Sequence, residues 1–274
     1  MPRRSAVVVA ILVLLAGCSA TERQRSSQHE GPTVTPAPVP EPTNETGSRQ
    51  LLAPGIDPTG IVDPIALSAA HEHVLTDRAF IRTANRTITT TDGTVVTQQS
   101  FVTRVSSSHR VRHTVLRAEG PRAPFFGEDE STELWTIGSR QYQAIDGENA
   151  TRYRKLPSWE TILPPLIAPP SGAVFLVGSI FETNVSTQRA GRVLLLSGHR
   201  LAAPNLLASA AGVQDPHNAS VRAVVRTNGL VRSYSIQFSA SAHNRPIEFS
   251  LSVRYSRVGN PAIGPPPVPG NLSR

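Results

Sequence analysis

Cysteine occurs once in this chain of 274 residues, at Cys18, and lysine once, at Lys155. A single thiol excludes internal disulfides and clusters of metal thiolates, so the fold stands without covalent staples. The patterns of the commoner catalytic sites are missing as well. Lys155 precedes Leu156, which rules out a phosphate-binding loop, and no Gly-x-Ser-x-Gly elbow occurs. Acids are scarce, 20 against 27 bases, and Asp57, Asp63, Asp92, Asp146 and Asp215 each precede Pro or Gly, where turn chemistry explains them. The one acidic cluster, Glu128-Asp129-Glu130 with Glu133 nearby, lacks the ligand spacing of a calcium-binding loop and reads as a solvated segment. His71 and His73 point about 200° apart around a helix axis, so they cannot share a metal. His109 and His113 read as one strand face about 13 Å apart, again too far. The expectation is no metal, no cofactor and no catalytic residue, hence not an enzyme.

The N-terminus carries the most specific signal. Arg3 and Arg4 precede the apolar stretch Ala6–Ala16, which is too short to span a bilayer, and Leu15-Ala16-Gly17-Cys18 closes it. This arrangement resembles the lipobox of secreted lipoproteins. The resemblance implies removal of residues 1–17, a two-chain lipid on Cys18, and anchoring to the cell membrane on its extracellular face. Two acyl chains hold a protein stably where one does not. Residues 18–50, with prolines at 32, 36, 38, 40 and 42, read as a tether that buries no core. Residues 51–260 read as a single β-rich globular domain, and 261–274 as a Pro-rich disordered tail. The net charge of +7 comes from 26 arginines and that one lysine. Because an exported protein meets little nucleic acid, no nucleic-acid partner is expected.

Six of the ten asparagines stand in Asn-x-Ser/Thr sequons: Asn44, Asn85, Asn149, Asn184, Asn218 and Asn271. With 50 Ser and Thr in 274 residues, chance would supply about two, so the excess predicts N-glycosylation, foremost at Asn85, Asn149, Asn184 and Asn218.

Asp63-Pro64 opens a helix: an oxygen to cap the first amides, then a proline whose missing N–H is not needed there. Leu67, Ala70, His71 and Val74 share one face, and the helix ends near Thr76. After Phe80 the texture is β. Asp92-Gly93 and Asn228-Gly229 predict two-residue hairpin turns, with another turn at Asp146-Gly147. Ile247, Phe249, Leu251, Val253 and Tyr255 alternate with polar residues, as do Tyr234, Ile236 and Phe238. An antiparallel sheet with one apolar and one Ser/Arg-rich face follows. The helix at 64–76 and the apolar stretch 173–181, a helix or a buried strand, are the candidate covers. Trp135 and Trp159 read as core or interface residues, with a sugar-stacking platform as the sharper reading. The fold class expected is α+β, a mostly antiparallel curved half-barrel sheet with one or two helices on its apolar face.

The lipobox, the Pro/Thr tether, Leu52-Ala-Pro-Gly-Ile56, Asp63-Pro-Ile-Ala-Leu67 with Ala70-His71, and Asn85-Arg-Thr together resemble haloarchaeal surface lipoproteins of unassigned function, although the chain is basic where halophile proteins are typically acidic. The order of helix, long hairpins, central apolar segment and further hairpins is similar to the LolA-type carrier of lipoproteins. That resemblance implies a cup for a lipid or other apolar ligand. Tyr234, Ile236, Phe238, Phe249, Leu251 and Val253 would line it, under a lid of the two covering segments. The contrasting expectation is a glycosylated structural or interaction domain of the cell envelope, its core filled and without a pocket. The size of the hollow beneath the lid separates the two.

Overall fold

The computed structural model describes residues 50–120, 131–146, 151–156, 170–188 and 192–259. The signal, Cys18, the tether up to residue 49 and the C-terminal tail lie outside the described residues, as do Asn44, Asn149, Asn271, Glu128–Glu130, Trp159 and Gly147. A small hairpin, β1 (Ile56–Asp57) and β2 (Gly60–Ile61), leads to helix α1 (Pro64–Leu75). Six strands follow: β3 (Phe80–Thr90), β4 (Val95–Val105), β5 (Val111–Glu119), β6 (Ser131–Ile137), β7 (Arg140–Asp146) and β8 (Thr151–Leu156). Helix α2 (Pro170–Ile180) passes directly into β9 (Phe181–Gln188), then β10 (Val193–Leu201), α3 (Pro204–Ala211), β11 (Gln214–Arg226), β12 (Val231–Ala242) and β13 (Arg245–Ser256).

Two meanders make one open, curved antiparallel sheet of eleven strands, in the order β8-β7-β6-β5-β4-β3-β13-β12-β11-β10-β9. The seam between them is β3 against β13, Ala84 opposite Val253 and Arg82 opposite Tyr255. The expected α+β class is what the structure shows. Helices cover one face, and residues 173–181 resolve into α2, with Phe181 opening β9. Among the described residues no helix is long and apolar enough to cross a membrane.

Local chemistry accounts for the helix ends. The Asp63 carboxylate accepts from the amides of Ile65 and Ala66 at 3.0 and 2.9 Å, with Pro64 in the first turn. Leu67, His71 and Val74 face the sheet, as their spacing predicts, and Ser68 donates to the Ser171 carbonyl at 2.9 Å, tying α1 to α2. Helix α3 was not foreseen. Its signals are Pro204 at the start and Gly212, at φ +70°, as a left-handed end.

The hairpin turns need a correction. Thr90 N–H bonds to Thr94 O and Gly93 N–H to Thr90 O, and Arg226, Leu230 and Gly229 repeat the pattern. Each loop therefore holds three residues, not two. Gly93 and Gly229, both at φ +87°, take the left-handed bulge position that ends such loops. His109 also departs from expectation. It sits at φ +55° in the turn between β4 and β5, not on a strand with His113. Its Nε2 lies 3.0 and 3.1 Å from the carbonyl oxygens of Leu75 and Arg78, and clasps the end of α1.

Gly198 has a tight structural role. A methyl group there would stand 2.2 Å from the Glu182 carbonyl oxygen, where the pairing of β9 with β10 slips between Ser197 and Arg200. Gly198→Ala is expected to destabilise the protein by about 1–3 kcal/mol, because backbone rather than a flexible side chain must move. A lower urea midpoint with an unchanged m value is the expected readout.

Candidate functional site

The helix-covered face of the sheet is not uniform. Over β10–β13 it is apolar: Leu196, Val225, Ile236, Phe238, Phe249 and Leu251 are all buried. Over β3–β6 the same face carries Arg82, Gln99, Thr114 and Thr132, also buried. On β3 the residues facing the helices are Phe80, Arg82, Ala84 and Arg86, so a strand in apolar phase contains two guanidinium groups.

A cavity of about 350 Å³ opens over this polar half, where the end of α1 and the start of α2 stop covering the sheet. Leu75, Phe80, Val105 and Leu134 supply its apolar wall; Glu72, Arg82, His109, Arg112 and Gln141 supply its polar groups. Arg82 is only 7% exposed. Beneath α1 and α2 themselves, a pocket between Leu67, Val174, Val177 and Tyr234 holds only about 10 Å³.

Behind Arg82 lies a buried polar cluster. His71 on α1 is fully buried; its Nδ1 accepts the Val231 amide at 3.2 Å, and its ring meets that of Tyr255 edge-on at 4.7 Å. Burial, and secondarily the charge of Arg82, pushes its pKa down to about 4. Burial also raises the phenol pKa of Tyr234 and Tyr255, a rise that the Arg82 charge opposes in each. Arg82 is thus a positive charge set between the cavity and a neutral histidine that packs on Tyr255. Burial likewise lowers the pKa of Arg86, two residues further along β3.

The six residues read from the sequence as a cup, Tyr234, Ile236, Phe238, Phe249, Leu251 and Val253, are brought together on β12 and β13, each at most 3% exposed. None of them borders the 350 Å³ cavity. The residues that do border it were missed. One signal was available: Arg82 falls in phase with Phe80 and Ala84 on an otherwise apolar strand face. Trp135 is buried outside the main core, in register with His113 and Arg104 on the face away from the helices; its ring stacks on His113 at 4.2 Å and its Nε1 donates to Glu133 Oε1 at 2.8 Å, which leaves no open sugar platform. His113 Nε2 approaches the same carboxylate oxygen at 2.7 Å. Net of that attraction, burial lowers the His113 pKa. Of the sequon asparagines, Asn85, Asn184 and Asn218 are exposed, on β3, β9 and β11. Among the described residues no three His, Cys, Asp or Glu side chains gather to hold a metal.

No protein-family model and no curated protein matches the chain. Among solved structures it is similar to MucB in complex with MucA(peri), at 11% identity and a TM-score of 0.29, over 77% of this chain and 59% of that one. The chain thus spans about three-fifths of the MucB chain. It is also similar to a DUF1329 family protein from Desulfovibrio piger ATCC 29098, at 9% identity and a TM-score of 0.26, over 71% of this chain and 90% of that one. A third similarity is to Rv2717c from M. tuberculosis, at 10% identity and a TM-score of 0.20, covering 69% and 98%.

Proposed function

We propose that this protein is a non-enzymatic binding or carrier module of the cell surface, held to the membrane by lipid on Cys18, and that its cavity takes an amphipathic ligand with an acidic headgroup. One observation carries the reading: a 350 Å³ cavity with an apolar wall and the nearly buried Arg82 in its side. That volume lies within the range of small-ligand sites, which pair apolar lining with a few placed polar groups. Arg82 and Arg112 outnumber Glu72, so the cavity favours an anion. The ligand class is accordingly narrower than the lipid or other apolar molecule read from the sequence. The anchor, the extracellular address and the likeness to haloarchaeal surface lipoproteins rest on Leu15–Cys18, the tether and the short motifs alone. Exposure of Asn85, Asn184 and Asn218 supports their glycosylation, since a transferase must reach the amide.

A second reading, a filled envelope domain without a ligand, draws on the 10 Å³ left beneath α1 and α2. Intact-mass spectrometry decides between the two. Full-length protein from a related host is measured under native conditions and again after organic extraction. The carrier reading expects one stoichiometric acidic amphiphile released on extraction, and its loss in Thr136→Phe, which fills the cavity from β6. A polypeptide carrying only its lipid and sugars sinks the carrier and leaves the envelope domain. The same spectra read the lipid on Cys18 and count the occupied sequons.

A further inference from the structure

The face of the sheet turned away from the helices carries a second hollow, a trough of about 1030 Å³ across β9–β13 and β3. Its floor is ordered by the strand register. Asn184 pairs with Ser197, Ser197 with Arg222, Arg222 with Ser235, Ser235 with Ser252, and Ser252 with Asn85. The row continues through Ser100 to Arg117. Small hydroxyl and amide side chains on β9, β10, β12, β13 and β3, with Arg222 between them on β11, thus stand side by side at the sheet spacing of about 4.8 Å. Arg254, two residues beyond Ser252, pairs with Ser233 and Thr83 on the next row of the same face.

We infer that this trough is a binding site for an acidic polysaccharide. The hydroxyl rows offer donors and acceptors to sugar hydroxyls, and among the described residues no carboxylate lines the trough. Arg222 and Arg254 are exposed, and neither takes part in an ion pair among the described residues. Two strands and two residues separate them, about 12 Å, so a chain laid along the trough meets both with acid groups on separate sugars. Guanidinium forks match carboxylate or sulfate bidentately. The other polyanions fit less well. A recessed floor does not meet a planar bilayer, and among the described residues the only aromatic one lining it, Tyr234, is buried with its ring on the core side and gives no stacking platform for single-stranded nucleic acid. The site lies on the opposite face from the cavity and stands or falls apart from it.

Calorimetry on the full chain, checked by mass to carry no sugar on Asn85 or Asn184, tests the assignment with hexagalacturonate, neutral maltohexaose and phosphatidylglycerol vesicles. Hexagalacturonate is expected to bind, more weakly as salt rises, and about tenfold or more tighter than maltohexaose. Arg222→Gln and Arg254→Gln should each weaken it about tenfold, and Ser235→Asp should abolish it, with melting temperatures held. Arg110→Gln, an exposed arginine outside the trough, should bind as the parent does. The assignment is overturned by absent binding, by equal binding of maltohexaose, by indifference to both trough arginines, or by vesicles that bind through those arginines where hexagalacturonate does not.

Discussion

Acidification from pH 7 to pH 4 is expected to remove about 3 kcal/mol of folding stability through one side chain, His71. In the folded protein it titrates near 4, while the unfolded chain binds its proton near the ordinary histidine value of 6.5. The unfolded state therefore takes up the proton first. The stability that neutral His71 supplies is present above pH 6.5 and is lost progressively as pH falls toward 4. Burial is the main cause. The Arg82 guanidinium adds to it, and the buried neighbours Tyr234 and Tyr255 stay neutral through this window. His113 works in the same direction but less strongly, because Glu133 stabilises its charged form. His71→Asn keeps an acceptor where Nδ1 meets the Val231 amide and removes the titration. Urea midpoints at pH 7, 5.5 and 4 should fall steeply for the parent and much less for the variant. Parallel declines would show that the acid sensitivity lies elsewhere.

His71 also shows how far a sequence reading reaches. Its helix was legible because Asp63-Pro64 is a local start signal and the i, i+3, i+4, i+7 spacing is a local face. The alternation in β12 and β13 was legible for the same reason, and so were the hairpins, apart from one residue of loop length. There Asp-Gly and Asn-Gly suit two loop types, and the choice rests on which residue closes the ladder. Strand order was not legible. The seam of β3 on β13 joins segments at opposite ends of the domain, and nothing within either strand names its partner. His109 was misplaced because a residue at positive φ inside Ser-Ser-His-Arg carries no glycine to announce the turn. The cavity stayed hidden because its lining comes from α1, α2 and β3–β7, one or a few residues from each. Arg82 was its one local trace, a charge in the apolar phase of a strand.

Phe238→Ala is expected to cost about 3–5 kcal/mol of stability and to leave the ligand content unchanged. Phe238 is 1% exposed and stands directly opposite Phe249, their rings stacked at 4.6 Å and 19°. Aromatic pairs of this kind contribute beyond the area they bury, and removing one ring leaves a void the sheet cannot close by side-chain motion alone. Phe238 and Phe249 belong to the contiguous buried core that α1 and α2 share with the sheet, and the pocket between Leu67, Val174, Val177 and Tyr234 in that core holds only about 10 Å³. The cavity lies over β3–β7, and neither Phe238 nor Phe249 borders it. A lining residue of an open cup would behave the other way, since truncating it enlarges a space that exists already and changes what that space holds. Urea unfolding and the extracted-ligand mass of the same preparation therefore separate core from cup at β12 and β13. A loss of stability with ligand retained assigns these strands to the core. A small loss, under about 1 kcal/mol, with altered ligand content returns the cup to them.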